Sequence, residues 1–221
     1  AGADDVLIAS LRGLRGYDKS LKALRQHLVA CGAKPLQPTA VYQHLMPGFA
    51  PYSAKPDVAI TNSTRAFDAA NDIIAAHIPV MRANENGIIR DLDTEFLHDY
   101  RIALRKIRSV LSLFKGVYTE EQTAELKARF SALMTPTGPL RDLDVYSLER
   151  ELFYSMVPDS LHDGLDRMFA LFTTTHAAQQ ASLAAWLKSD GYNKEIKSLT
   201  RLFRKRKKLI PGPAAQDKAL N

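Results

Sequence analysis

His98-Asp99-Tyr100-Arg101-Ile102-Ala103-Leu104-Arg105-Lys106-Ile107-Arg108 is the stretch that decides the fold class. Placed on a helix at about 100° per residue, it separates into two faces. His98, Arg101, Arg105, Arg108 and Lys115 recur at steps of three, four, three and seven and share one narrow stripe. Tyr100, Ala103, Leu104, Ile107, Val110, Leu111 and Phe114 form a wider apolar stripe beside it. The only acid in the run, Asp99, points elsewhere. A row of like charges repels itself. It persists only where the apolar stripe is well packed, and it suits a polyanion lying along it.

The charge of the whole chain is concentrated in the same way. Residues 96–115 carry five Lys/Arg against one Asp, and residues 194–208 carry eight against one Glu. These two segments hold +11 of a chain whose total is +6, so the remainder is net acidic. That distribution is an electrostatic binding footprint rather than general basicity. A length of 221 residues, 46% hydrophobic and 24% charged, is enough for a buried core in one or two domains. Cys31 is the only cysteine, so no internal disulfide forms, which fits a reducing, cytoplasmic setting. No apolar run approaches the ~20 residues that span a bilayer.

Outward from the deciding stretch the chain reads as helices. Residues 18–30 form a short one, with Leu21, Leu24 and Leu28 on one side and Gly32 as its stop. Residues 33–58 are punctuated by six Pro/Gly positions (Pro35, Pro38, Pro47, Gly48, Pro51, Pro56) and read as an irregular connector. A helix is expected over 61–83, capped by Thr61, Ser63 or Thr64 and kinked or ended by Pro79, with Asn84, Asn86 and Gly87 as the turn. The long helix covers Thr94 to Lys115, with Gly116 as its stop. Further helices are expected over 120–134, 141–154, 160–187 (interrupted at Thr173-Thr174-Thr175) and 191–209. Pro136, Gly138 and Pro139 break the chain between two of them. Period-2 alternation is absent, and short turns favour antiparallel neighbours, so the expectation is all-α, an antiparallel four-helix bundle with an irregular N-terminal arm.

The last helix carries a second stripe, Lys194, Lys197, Arg201, Arg204 and Lys208, at steps of three, four, three and four. Arg204-Lys205-Arg206-Lys207-Lys208 reads equally as a nonspecific nucleic-acid patch. Arg141-Asp142-Leu143-Asp144 is a third feature, in which Asp142 or Asp144 holds Arg141 toward the first row, or simply places acids at a helix start. His162 and His176 read as packed or surface histidines. Phosphate-loop, dinucleotide-loop and HExxH patterns are all missing, and no carboxylate set offers a Mg²⁺ site. Neither a metal, a cofactor nor a catalytic residue is expected.

Glu95-Phe-Leu-His98-Asp-Tyr-Arg101-Ile-Ala-Leu-Arg105-Lys106-Ile-Arg108, followed by Thr137-Gly-Pro-Leu-Arg141-Asp142-Leu-Asp144-Val145, resembles the CHAD family, the conserved-histidine α-helical domain. The resemblance covers about residues 58–210. It implies two similar four-helix bundles whose basic faces line a groove, and binding of inorganic polyphosphate with association to polyphosphate granules. By position it makes His98 the motif histidine, Arg101, Arg105, Lys106 and Arg108 its basic residues, and Arg141 its later arginine. The second His-x-x-Arg motif of the family is absent from these residues. The chain is therefore read as the first bundle, with 211–221 as the start of a linker, and a homodimer is expected where the second bundle is supplied in trans. Residues 1–57 resemble the connector after a CYTH (triphosphate tunnel) domain, without the tunnel's Glu-x-Glu-x-Lys motif.

The functional expectation is a non-enzymatic module that binds polyphosphate along its basic helix faces, without a membrane partner. Arg offers a planar fork to two phosphate oxygens and Lys a compact point charge. The alternatives are a nucleic-acid-binding helical protein and a regulatory or targeting segment of a CYTH-type triphosphatase. The basic stripes lack interleaved aromatics for base stacking, which favours phosphate-only recognition.

Overall fold

The computed structural model describes residues 8–35 and 52–219. The chain divides into two compact units, Ala1–Pro51 and Tyr52–Asn221. The first contains α1 (Asp18–Ala30), which ends at Gly32 in the left-handed region (φ +92°) and buries none of its residues. Pro38, Pro47, Gly48 and Pro51 of the expected connector lie outside the described residues.

The second unit holds α2 (Ala66–Ile89), α3 (Thr94–Leu113), α4 (Glu120–Met134), α5 (Gly138–Leu148), the short α6 (Arg150–Ser155), α7 (His162–Lys188) and α8 (Asp190–Lys205). No strand occurs among the described residues, and the expected all-α class holds. None of the described helices is long and apolar enough to cross a membrane.

The core draws on α2, α3, α4, α7 and α8. On α3 the buried residues are Leu97, Tyr100, Ala103, Leu104, Ile107, Val110 and Leu111, the apolar stripe read from the sequence. Asp93 caps the helix by accepting from the Glu95 amide at 2.8 Å. Phe114 leaves the helical region and Gly116 follows at φ +73°, so Lys115 falls outside the helix. Tyr100 of α3 meets Tyr192 of α8 across the core, hydroxyl to hydroxyl at 3.3 Å, and Tyr192 donates to Glu85 of α2 at 2.7 Å. Burial pushes both phenols above their ordinary range.

Helix α2 departs most from expectation. It starts at Ala66, after Arg65, which makes no side-chain cap. Thr61, Ser63 and Thr64 bond one another instead. It runs through Pro79 to Ile89. An interior proline costs about 3 kcal/mol or more. Burial of Val80, Met81 and Ile88 beyond it, at about 1.5–3 kcal/mol for each large side chain, outweighs that cost. Asn84 is not a turn residue: its Nδ2 donates to the Val80 carbonyl at 2.8 Å and to the Tyr52 hydroxyl at 2.9 Å. Gly87 is a packing residue, since a Cβ there would lie 2.2 Å from the Phe96 ring.

The expected break at Pro136–Pro139 is a 3₁₀ turn, Thr135–Thr137, running directly into α5. Pro139 sits in the first turn, where its missing N–H is harmless. The Thr173–Thr175 run does not interrupt α7, because each hydroxyl donates to the carbonyl four residues earlier. The last helix ends at Lys205, because Arg206 adopts φ 55°. Its guanidinium reaches back to Asp68 at 3.5 Å and to Asp72, both on α2.

Residues 211–219, read as a linker, pack back onto the unit. The Gly212 amide donates to Val117 O at 2.9 Å, the Ala66 amide to Asp217 O at 2.7 Å, and the Ala219 amide to Thr64 O at 2.9 Å. Ala215 is buried. The second unit also begins before residue 58, since Tyr52 donates to Asp99 at 2.9 Å and Lys106 to Ala54 O at 3.4 Å.

Candidate polyanion-binding surfaces

The first basic row stands on the flank of α3 beside its buried stripe. Arg105 and Arg108 are exposed, and His98 and Arg101 partly so. Lys106 leaves this flank: it reaches Ala54 O, and its charge joins burial in lowering the pKa of His77 on α2. Lys115, beyond the helix end, is exposed.

Tertiary packing adds α5 to the row. Arg101 Nη1 donates to Thr137 Oγ1 at 2.6 Å, and that hydroxyl donates to Met134 O at 2.6 Å. Burial lowers the pKa of Arg101, and the charges of Arg105 and Arg141 lower it further. Asp142 is the carboxylate that opposes this. Arg101 thus feels the charges of Arg105 and Arg141, with Asp142 acting against them. Arg141 Nη1 is buried without a hydrogen-bond partner among the described residues.

Asp144 does not hold Arg141, as the sequence allowed. It is buried and pairs with His176 Nε2 at 2.8 Å. Burial raises its pKa, and the hydrogen bond and charge of His176, with the charge of Arg141, act the other way. His176 is therefore a partner of a buried carboxylate, joining α7 to α5, rather than a passive surface group. Asp142 remains near the row through its charge on Arg101.

The second basic stripe lies elsewhere. Lys194, Lys197 and Arg201 of α8, with Lys208 beyond its end, line a groove of about 830 Å³ between α8 and α4. Lys205 and Lys207 line it too, although neither falls on the stripe read from the sequence. Past the αL turn at Arg206 the chain no longer follows helical spacing, so periodicity could not place Lys207. Arg204 is exposed and is not part of the lining. On the α4 side, Arg129 is held by Glu195 at 2.7 Å and by Glu125 at 3.4 Å. The groove is closed at one end where Gln122 Nε2 donates to Lys208 O at 3.0 Å and Gln122 Oε1 accepts from the Ile210 amide at 2.6 Å. No residue of the first row lines it.

Both surfaces present cationic side-chain donors that can hold anions. Among known protein families, the model of the CHAD domain matches residues 72–220. A search of curated proteins gives no match.

Proposed function

This chain belongs to the CHAD domain family, and we propose from that premise that it binds inorganic polyphosphate without transforming it. The observation that carries the reading is the basic row of α3, with Arg105 and Arg108 exposed and Arg101 anchored on Thr137 at the α3–α5 junction, where the charge of Arg141 also acts on it. A bound polyanion offsets the mutual repulsion of these cations. His98 extends the row toward the start of α3, and Arg108 and Lys115 toward its end.

Helical rise spaces successive row residues about 5–6 Å apart. A flexible phosphate chain can bend to meet several of them. Exposed charge contacts contribute about 0.2–1 kcal/mol each, so affinity comes from their number. Lys106, engaged with Ala54 O, contributes through its field rather than from the row itself. In the cell this reading places the chain in the cytoplasm, at polyphosphate granules.

Titration with long-chain polyphosphate at two salt concentrations tests the reading. Tight binding that weakens steeply with salt, as counterion release requires, with less polyphosphate bound at saturation by Arg105→Ala/Arg108→Ala, supports it. Stronger binding of single-stranded RNA in direct competition would replace it with nucleic-acid recognition. Hydrolysis of tripolyphosphate by the purified chain would overturn the non-enzymatic assignment.

A further inference from the structure

The two basic surfaces lie on either side of α4, and we propose that they are two separate polyanion sites, so that one chain non-covalently bridges two polyphosphate strands. The inference rests on the reading above and adds the α4–α8 groove as a second, independent site for the same chemical class.

Three observations carry it. The groove concentrates Lys194, Lys197, Arg201, Lys205, Lys207 and Lys208, and none of these six makes an ion pair among the described residues. Its α4 wall adds no unpaired cation, because Arg129 is taken up by Glu195 of α8 and by Glu125. The charge facing solvent is therefore that of α8 and the turn after it. Such a concave surface, with its unpaired cations facing the single lining carboxylate of Glu125, focuses an attractive field on anions.

The second observation is the composition of α4 itself. Its exposed residues are Glu120, Glu121, Ala124, Glu125, Ala128 and Ala132. A polyanion passing over α4 from the α3–α5 row to the α8 groove meets three carboxylates at one end and, further along, alanines and the partly exposed Lys127. Like charge repels it at the start of the helix, and a single partly exposed lysine is all that holds it further on. One strand occupying both surfaces is disfavoured relative to one strand on each.

The third is that the two surfaces are built independently. Arg101 is set by Thr137 and its neighbours on α3 and α5. The α8 groove is set by the Gln122 bonds to Lys208 and Ile210 and by the αL turn at Arg206. Filling one requires no change in the other. A module with two polyanion sites collects strands into a network, which a single-site module cannot do however tightly it binds.

The test pairs stoichiometry with clustering. Tripolyphosphate, too short to reach across α4, is titrated calorimetrically into the parent, into Arg105→Glu/Arg108→Glu and into Lys197→Glu/Arg201→Glu. Light scattering is then followed as long-chain polyphosphate is added to each. All four substituted residues are exposed, and helical content by circular dichroism confirms folding. Lys19→Glu/Lys22→Glu in α1, which belongs to the other unit, makes the same change in net charge at residues of neither surface.

The expected result is two tripolyphosphates per parent chain and one per chain for either surface variant. Each surface variant should still bind long polyphosphate, with scattering at least fivefold below the parent, and the α1 variant should match the parent. One tripolyphosphate per parent chain, with long polyphosphate still bound, overturns the two-site inference and leaves the polyphosphate reading intact. Equal loss of scattering in the α1 variant also overturns it, by assigning clustering to bulk charge. Failure of the parent to bind polyphosphate at all removes both.

Discussion

Arg101 and Thr137 stand 36 residues apart in sequence, and the guanidinium donates to the threonine hydroxyl at 2.6 Å. The same hydroxyl donates to Met134 O, and Thr137 is fully buried. One oxygen thus ties the basic row of α3 to the turn that launches α5. Thr137→Val keeps the volume and removes both bonds. Leaving buried polar groups unpaired costs about 1–3 kcal/mol, so chemical denaturation should show a loss of that size. Polyphosphate affinity should fall as well, since Arg101 loses its anchor.

Arg206 ends α8 at φ 55°, a region that costs a side-chain-bearing residue about 1–2 kcal/mol. Its ion pairs with Asp68 and Asp72 offset that strain. Arg206→Ala keeps the strain and loses the pairs, whereas Arg206→Gly loses both. The alanine variant should therefore be less stable than the glycine variant by about 1 kcal/mol in equilibrium unfolding. The reverse order would mean that the turn carries no strain.

Gly212 fits where no other residue does. A Cβ there would meet the carbonyl oxygens of Gly116 and Tyr118 at 2.4 Å, and both are backbone atoms that cannot swing aside. Gly212→Ala should destabilise the unit by about 1–3 kcal/mol. Hydrogen exchange should locate the damage, with the amides of Ala66 and Ala219, which bond across to and from this segment, losing protection first.

His77 is buried on α2, with Nδ1 2.8 Å from Ile73 O. Burial lowers its pKa, the Ile73 carbonyl opposes this, and the nearby Lys106 charge lowers it further. The unfolded chain takes up this proton near pH 6.5, whereas the folded chain resists it until lower pH. The stability His77 contributes is thus complete above about pH 6.5 and is lost as pH falls through the lowered folded value. Thermal unfolding between pH 7.5 and 5 should show a falling Tm. His77→Asn, which can repeat the carboxamide-to-carbonyl bond that Asn84 makes in the same helix, should flatten that fall.

Much of α3 was legible in advance because a single helix reports its own burial. The apolar spacing from Tyr100 to Leu111 names the core face, and the cationic spacing from Arg101 to Arg108 follows on the same geometry. The start of α4 at Glu120 and the stop at Gly116 were legible for the same reason, since caps and left-handed glycines act within one turn. Pro79 and Gly87 misled because their usual roles are local, whereas here packing against α3 overrides them. Lys106 was placed by family position among the basic residues, and only the course of residues 52–55 shows where its ammonium goes.

The sequence by itself determined the all-α class, the two concentrations of positive charge and the helix that carries the first of them. Those properties follow from periodicity and composition, which are fixed along the chain. The tertiary structure decided which charges become neighbours. It brought Arg141 to Arg101, gave Asp144 to His176 rather than to Arg141, and put the acidic face of α4 between the two basic surfaces. Charge interactions depend on distance through space, and residues on different helices acquire that distance only when the helices pack.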